Sequence, residues 1–183
     1  MNQRYRWPTI GVHWLTVLLI IAAYVLATIL EDMTLSPQKL KLYSWHKWVG
    51  ITVLFLLPLR LLFRFLDPLD HRAGLTALEV KASAAVHGVI YLLLIAVPMF
   101  GWLHSTAAGF PVVWLGVLPL PDLVGKDKAL AEVFKELHEG SVNLLIALVV
   151  LHAGAALYHH HLRRDGVLAR MVPGLGKKQS KKQ

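Results

Sequence analysis

The sequence predicts an all-α fold: an integral membrane four-helix bundle with both termini in the cytoplasm. Of its 183 residues, 56% are hydrophobic and only 16% are charged, whereas soluble domains average roughly 25% charged residues. Four apolar segments also reach the length of about 20 residues that a helix needs to cross a hydrocarbon core. Composition and segment length together therefore indicate a chain that lies in lipid.

The four predicted spans follow one another along the chain. They cover about Ile10–Leu30, Tyr43–Phe65, Ala84–His104 and His138–His161. The long third loop contains an apolar stretch, 110–121, that three prolines and a glycine interrupt. Because prolines and a glycine break a helix, this stretch cannot span the membrane. We expect it to rest as a lid on the outer end of the bundle, with Trp114 at headgroup level.

The basic residues are distributed unevenly between the two predicted sides of the membrane. The side with both termini has thirteen basic and four acidic residues, and the other side has six and seven, so the net charges are +9 and −1. The positive-inside rule then places both termini in the cytoplasm. We expect residues 1–176 to form one domain, and 177–183 to be a basic, disordered tail near anionic lipid.

The absence of cysteine narrows the chemistry that the chain can support. Without thiols there are no disulfides, no thiolate-bound iron–sulfur clusters and no covalent C-x-x-C-H haem attachment. The chain has a net charge of +8, but its basic and aromatic residues do not alternate along any polar stretch. Nucleic-acid binding is therefore not expected. Any metal or haem must be held by imidazole, and the chain has ten histidines.

Five histidines, His13, His46, His87, His138 and His152, fall within or at the start of the predicted spans. An ionisable side chain inside a span is costly and indicates function, although a lone one is more often an interhelical hydrogen-bonding residue or a proton-relay member. His138 and His152 are fourteen residues apart, which is about 21 Å along a helix and within about 40° of one face. The helix directions place His46 at the depth of His138, and His13 at that of His152. Paired imidazoles at two depths favour bis-imidazole ligation of iron.

These residues and their neighbours resemble the bacterial cytochrome b561 family and, more distantly, the cytochrome b subunits of nickel–iron hydrogenases and formate dehydrogenases. The matching pieces, in order along nearly the whole chain, are His13-Trp14, His46 before Val49-Gly50, Arg60–Arg64, His87–Tyr91, Trp102 after Pro98, His138-Glu139, Leu151–Ala153 with His159-His160, and Met171–Pro173. The resemblance implies two non-covalent b haems, one on the cytoplasmic side between His13 and His152 and one on the outer side between His46 and His138. His87 shares the depth of His13 and could replace it as a ligand.

The resemblance also implies a function. It points to electron transfer between the periplasmic side and the ubiquinone pool of the bacterial inner membrane, with superoxide as the proposed donor and no catalytic side chain beyond the haems. Such a protein is a superoxide oxidase, and a bundle of this size is often a homodimer. The candidate residues for the quinone site are His87, His159, His160 and Arg163, and those for the haem propionates are Arg60 and Arg64.

Other readings of the sequence stay open. Superoxide is an anion and calls for a local positive funnel, for which the available lysines are Lys39, Lys41, Lys47, Lys126 and Lys135. The donor could instead be a separate dehydrogenase, with the chain as its membrane anchor. A histidine-lined metal transporter would use the same imidazoles, but no Asp or Glu lies deep in any predicted span. A purely structural bundle leaves the paired histidines unexplained.

Overall fold

The computed structural model describes residues 4–67 and 75–175, and the predicted helical bundle is confirmed there. Its four long helices are α1 (Trp7–Asp32), α2 (Pro37–Leu66), α3 (Ala77–Ala107) and α4 (Lys128–Tyr158), and a π-helical turn (His159–Arg163) continues α4. Each is long and apolar enough to cross a membrane, so the chain is a multi-pass membrane protein. The predicted tail 177–183 lies outside the described residues.

Local capping explains where these helices begin. The Ser36 hydroxyl accepts a hydrogen bond from the backbone of α2, and the Asp127 carboxylate does the same for α4. Thr76 and Glu79 form a capping box at the start of α3. Buried Asp67, directly after α2, accepts hydrogen bonds from the Arg6 backbone and the Thr9 hydroxyl, and so caps α1 from a neighbouring helix.

The helices extend beyond the predicted spans at their polar ends. α2 begins six residues before Tyr43 and α4 begins ten residues before His138, which adds about 9 Å and about 15 Å of helix. The capped, amphipathic segments continue the helix after the continuous apolar run has ended. The apolar run therefore identifies the part of each helix that lies in lipid, and the capping residue identifies where the helix starts.

The core lies at mid-depth in the bundle. α1 packs along α2 and α3 along α4, and the two helix pairs meet through α2 and α3. The buried cluster at this junction consists of Val53, Leu57, Ile90, Leu93, Leu94 and Leu145. Leu145 is seven residues from both His138 and His152, so aliphatic side chains separate the two histidine depths. The segments around Tyr5 and Arg170 meet at one end of the bundle, where the Tyr5 backbone N–H donates to the Arg170 carbonyl; we call this the terminal end.

The third loop forms a β-hairpin, β1 (Val113–Trp114) and β2 (Leu118–Pro119), and the opposite end of the bundle is called the hairpin end. Three residues, Leu115–Val117, connect the strands, and Leu115 (φ 53°) and Gly116 (φ 74°) have the positive φ that the two central positions of a type I′ turn require. That Trp114 lies at headgroup level stays a prediction, and the structure shows which residues its side chain contacts.

Trp114 reaches down the side of α2. Its Nε1 donates to the Thr52 hydroxyl at 3.1 Å, and its ring packs edge-on against Phe55 at 5.1 Å between centroids. Thr52 lies well inside the second predicted span, six residues beyond His46, or about 9 Å along the helix. The indole N–H thus has an acceptor on α2, and backbone hydrogen bonds such as that from the Leu120 N–H to the Val112 carbonyl close the hairpin.

Candidate functional site

The structure brings all five predicted intramembrane histidines together in two groups, and each group contains one of the predicted pairs. His46 and His138 lie near the hairpin end with ring centroids 6.1 Å apart, and we call them the hairpin-side pair. His13 and His152 lie nearer the terminal end with centroids 6.5 Å apart, and form the terminal-side pair. Each pair joins two helices that are not consecutive in the chain, and the aliphatic core lies between the pairs.

Both separations suit two imidazoles on opposite sides of one iron. A metal–nitrogen bond of roughly 2.0–2.1 Å, with roughly 1.1 Å more from nitrogen to ring centre, gives a centroid separation of about 6.3 Å. The observed 6.1 Å and 6.5 Å agree with this value. His87 is 4.9 Å from His152 between centroids, which is too close for that geometry.

The hairpin-side pair also has the hydrogen bonds that orient metal-binding imidazoles. Nδ1 of His46 lies 3.0 Å from the Ala23 carbonyl oxygen, and Nδ1 of His138 lies 2.8 Å from that of Val97. Because a carbonyl oxygen only accepts, each Nδ1 carries the proton and each Nε2 keeps a lone pair for a metal. A Cβ on Gly101 would lie 3.0 Å from Cε1 of His138, so the glycine leaves space for this ring.

The terminal-side pair has a different environment. The Arg60 guanidinium donates to Nδ1 of His13 at 3.0 Å, and it also lies over the Tyr91 ring, 5.5 Å from the centroid. A guanidinium only donates, so the neutral His13 ring carries its proton on Nε2 in this arrangement. Ligation through Nε2 therefore requires Arg60 to turn away from Nδ1. Arg64, the other candidate propionate contact, donates to the Tyr5 hydroxyl at 2.6 Å.

The candidate quinone-site residues do not form one cluster. His87 contacts His152 and bonds through Nδ1 to the Ser83 carbonyl at 2.7 Å, which leaves its Nε2 as an acceptor. His159 lies about 10 Å further along the α4 axis than His152. The His160 ring packs against His161, 4.8 Å between centroids. Within the described residues no hydrogen bond or ring contact links His159 or His160 to His87.

Two acidic residues hold the end of α4 in place. Arg163 forms an ion pair with Glu79 of α3, and Nδ1 of His159 donates to the Asp165 carboxylate. Partial burial by itself raises the pKa of the Asp165 carboxyl, but the hydrogen bonds from His159 and from the Val167 backbone outweigh this and hold that pKa below its usual value. These contacts tie the end of α4 to the start of α3 and to the turn that follows.

Two residues of the site, Gly101 and Trp102, were missed or underused in the analysis of the sequence. Trp102 Nε1, beside Gly101, is buried and makes no hydrogen bond within the described residues, so it marks a place where a bound group can accept one. In residues 4–67 and 75–175, no three His, Asp or Glu side chains converge as a metal-ion site. Two imidazole pairs at these separations suit a cofactor that brings its remaining metal ligands with it, such as haem, better than a bare cation.

Comparison with known proteins agrees with this chemistry. The sequence profile described as prokaryotic cytochrome b561 matches residues 4–174. "Probable superoxide oxidase CybB" of Yersinia pestis is 31% identical over 94% of this chain and 98% of its own length. "Cytochrome b561 homolog 2" of Escherichia coli (strain K12) is 31% identical over 97% and 94%. "Cytochrome b561 homolog 1" of the same strain is 29% identical over 93% and 98%.

Proposed function

The chain belongs to the prokaryotic cytochrome b561 family, whose members are membrane electron carriers that bind haem b, and we propose that it is a superoxide:ubiquinone oxidoreductase of the bacterial inner membrane. It would hold two b haems and pass electrons from the periplasmic side to ubiquinone. The observation that carries the proposal is the presence of two imidazole pairs at 6.1 Å and 6.5 Å on either side of an aliphatic core. The name of the relative from Yersinia pestis, "Probable superoxide oxidase CybB", supports superoxide as the donor.

We assign the haem nearer the periplasm to His46 and His138, and the one nearer the cytoplasm to His13 and His152. A bound haem supplies one-electron redox chemistry, and the protein supplies axial ligands, spacing and a low dielectric. The two levels on α4 are about 21 Å apart along the helix. Leu145 and its neighbours keep water out of the space between them.

The 4.9 Å contact with His152 argues that His87 serves the quinone rather than the iron. Its Nε2 is free to accept a hydrogen bond from a quinol hydroxyl beside the terminal-side pair. Reducing a quinone also takes two protons, and these must come from the cytoplasmic side. We assign proton delivery to His159 and Asp165, which contact each other after α4, with Arg163 as a fixed positive charge beside Asp165 and His160 as a further candidate.

The test begins with the purified, detergent-solubilised protein and its reduced-minus-oxidised visible spectrum, with haem quantified per chain. We expect b-type bands at two haems per chain, and one haem per chain in His46→Ala or in His13→Ala. His104→Ala is the matched control, because His104 lies in a span but bonds only to the Ala131 carbonyl and should keep both haems. A colourless protein would overturn the cytochrome assignment, and a one-haem His87→Ala variant would overturn the choice of His13.

The donor and acceptor are tested separately. Superoxide generated enzymatically should reduce the haems, and a short-chain ubiquinone should reoxidise them catalytically. If the two-haem protein does not react with superoxide but is reduced by a co-purifying dehydrogenase, the chain is a membrane anchor for that enzyme instead.

A further inference from the structure

Two lysines converge at the turn that follows α3, near the hairpin end. The Lys47 ammonium lies 5.9 Å from the centroid of the Phe110 ring. The Lys126 side chain lies against Gly109, where an added Cβ would be 3.0 Å from its Cε and 3.4 Å from its Nζ. Gly109 and Phe110 are consecutive, so both lysine side chains contact the same two-residue turn.

Neither ammonium is neutralised by a nearby carboxylate. In the part of the chain that the structure describes, every ion pair lies at the terminal end, and no carboxylate oxygen is within 4.0 Å of Lys47 or Lys126. The other lysines of α2 are engaged elsewhere: Lys39 donates to the Met33 carbonyl at 2.6 Å, and Lys41 lies over the Trp45 ring. These contacts separate Lys47 from Lys39 and Lys41, and Lys135 of α4 remains a further candidate from the sequence.

The two lysines lie at the end of the bundle to which the hairpin-side pair is nearer. Lys126 is exposed, whereas Lys47 is half-buried and directly follows His46 in α2. On α3, Gly101 contacts His138, and the helix ends six residues later, about 9 Å further out, just before the Gly109–Phe110 turn. One positive charge thus lies at the surface and one is half-buried next to His46 in the sequence, both at this end of the bundle.

We propose that Lys47 and Lys126 form an entrance for a small monovalent anion to the hairpin-side pair. This inference rests on the proposed function, in which the anion is superoxide. Superoxide would give up one electron to the oxidised haem and leave as dioxygen, with no bond made or broken and no proton moved. The two lysines raise the local concentration of the anion and do not themselves react.

Local charge can act here even though this side of the chain is −1 overall. The screening length is about 8 Å at physiological ionic strength, so only acidic residues close to the two lysines, such as Asp127 next to Lys126, offset their charge for an approaching anion. The half-buried Lys47 ammonium is screened less than an exposed one, because the effective dielectric constant is lower beside the protein. Surface charges of one sign around a binding site can raise the rate of association by roughly tenfold or more, and this gain falls as the salt concentration rises.

The experiment compares Lys47→Gln, Lys126→Gln and Lys47→Arg with Lys39→Gln as the control from the same end. The rate constant for haem reduction by superoxide is measured in the two-haem protein from low to high salt. We expect each Gln variant to lose about threefold or more at low salt and nothing at high salt, with Lys47→Arg and Lys39→Gln near wild type. In redox titrations, Lys47→Gln should lower the midpoint potential of the nearer haem, because a positive charge that disfavours the oxidised iron is removed.

A second pair of probes separates this inference from the identity of the donor. Oxidation of the reduced protein is followed with anionic ferricyanide and with cationic hexaammineruthenium. Loss of Lys47 and Lys126 should slow the first and speed the second, whether or not superoxide is the substrate. If both rates and the midpoint potential are unchanged, the entrance does not exist. If the wild-type protein does not react with superoxide, but the variants show these changes in rate with the two probes, only the proposed donor is wrong.

Discussion

Gly101 should control the binding of the haem at the hairpin-side pair. A Cβ at this position would lie 3.0 Å from Cε1 and 3.1 Å from Nδ1 of His138, so the ring must move by a few tenths of an ångström. That ring is held by the 2.8 Å hydrogen bond to the Val97 carbonyl, and such a bond contributes about 0.5–1.5 kcal/mol. Since about 1.4 kcal/mol is a factor of ten, the lost bond alone weakens binding by up to about tenfold.

The displaced Nε2 adds to this loss. Disturbing the groups that orient a metal ligand typically costs about 10- to 100-fold in affinity, and we expect Gly101→Ala to lie in this range. Gly101→Val, which adds two further methyl groups, should leave about one haem per chain. Folding should survive the alanine, because alanine in a helix is about 0.5–1 kcal/mol more favourable than glycine.

The assay is a haem titration of the apoprotein, with haem per chain and the redox potentials of the loaded protein. Gly88→Ala is the control, since the same helix has open space within 4 Å of that position. The reasoning is refuted if Gly101→Ala binds the second haem with wild-type affinity and potential. It is also refuted if Gly88→Ala loses a haem while Gly101→Ala does not.

Three further predictions concern the hydrogen bonds at the two ends of the bundle. The pKa of Asp165 is lowered in the folded protein, so its bond with His159 stabilises the fold above the unfolded value of about 3.9 and is lost as pH falls through the folded pKa. The thermal stability of the wild-type protein should therefore fall more between about pH 5 and about pH 3 than the thermal stability of Asp165→Asn. Trp114→Phe removes the bond to Thr52 and should cost about 0.5–1.5 kcal/mol, seen as faster amide exchange in the hairpin, and Thr52→Val should match it. Asp67→Ala removes the cap of α1 and should cost about 0.5–2 kcal/mol, with faster exchange confined to the first turn of that helix.

Each of these outcomes has a clear opposite. Parallel pH profiles for wild type and Asp165→Asn would mean that the contact with His159 does not contribute to stability. Additive losses in the Trp114→Phe, Thr52→Val double variant would show that the two side chains act independently. Unchanged exchange at the start of α1 in Asp67→Ala would show that water replaces the carboxylate without cost.

The sequence by itself determined the number of spans and the depth of each histidine. Span number follows from apolar length, because lipid requires about 20 residues of helix. Depth follows from counting residues along helices that alternate in direction, at about 1.5 Å per residue. That count was enough to match His46 with His138 and His13 with His152, and the structure brings both sets of rings together.

The same count could not separate His13 from His87, which lie at one depth. Only the packing of α1 and α3 around α4 decides that one ring is 6.5 Å and the other 4.9 Å from His152. The position of the Trp114 side chain could not be predicted from the sequence either, because an irregular loop has no periodicity that indicates its depth. Its position depends on Thr52 and Phe55, which are on a different helix.

Tertiary structure alone also decided how the histidines are oriented. The acceptors for His46 and His138 are main-chain carbonyls of Ala23 and Val97, on neighbouring helices. Every residue has a carbonyl, so no side-chain pattern indicates which one faces an imidazole. The space beside Gly101 is likewise a property of two packed helices and not of either segment. Depth is a one-dimensional quantity that the chain encodes locally, whereas lateral contact exists only after the helices have packed.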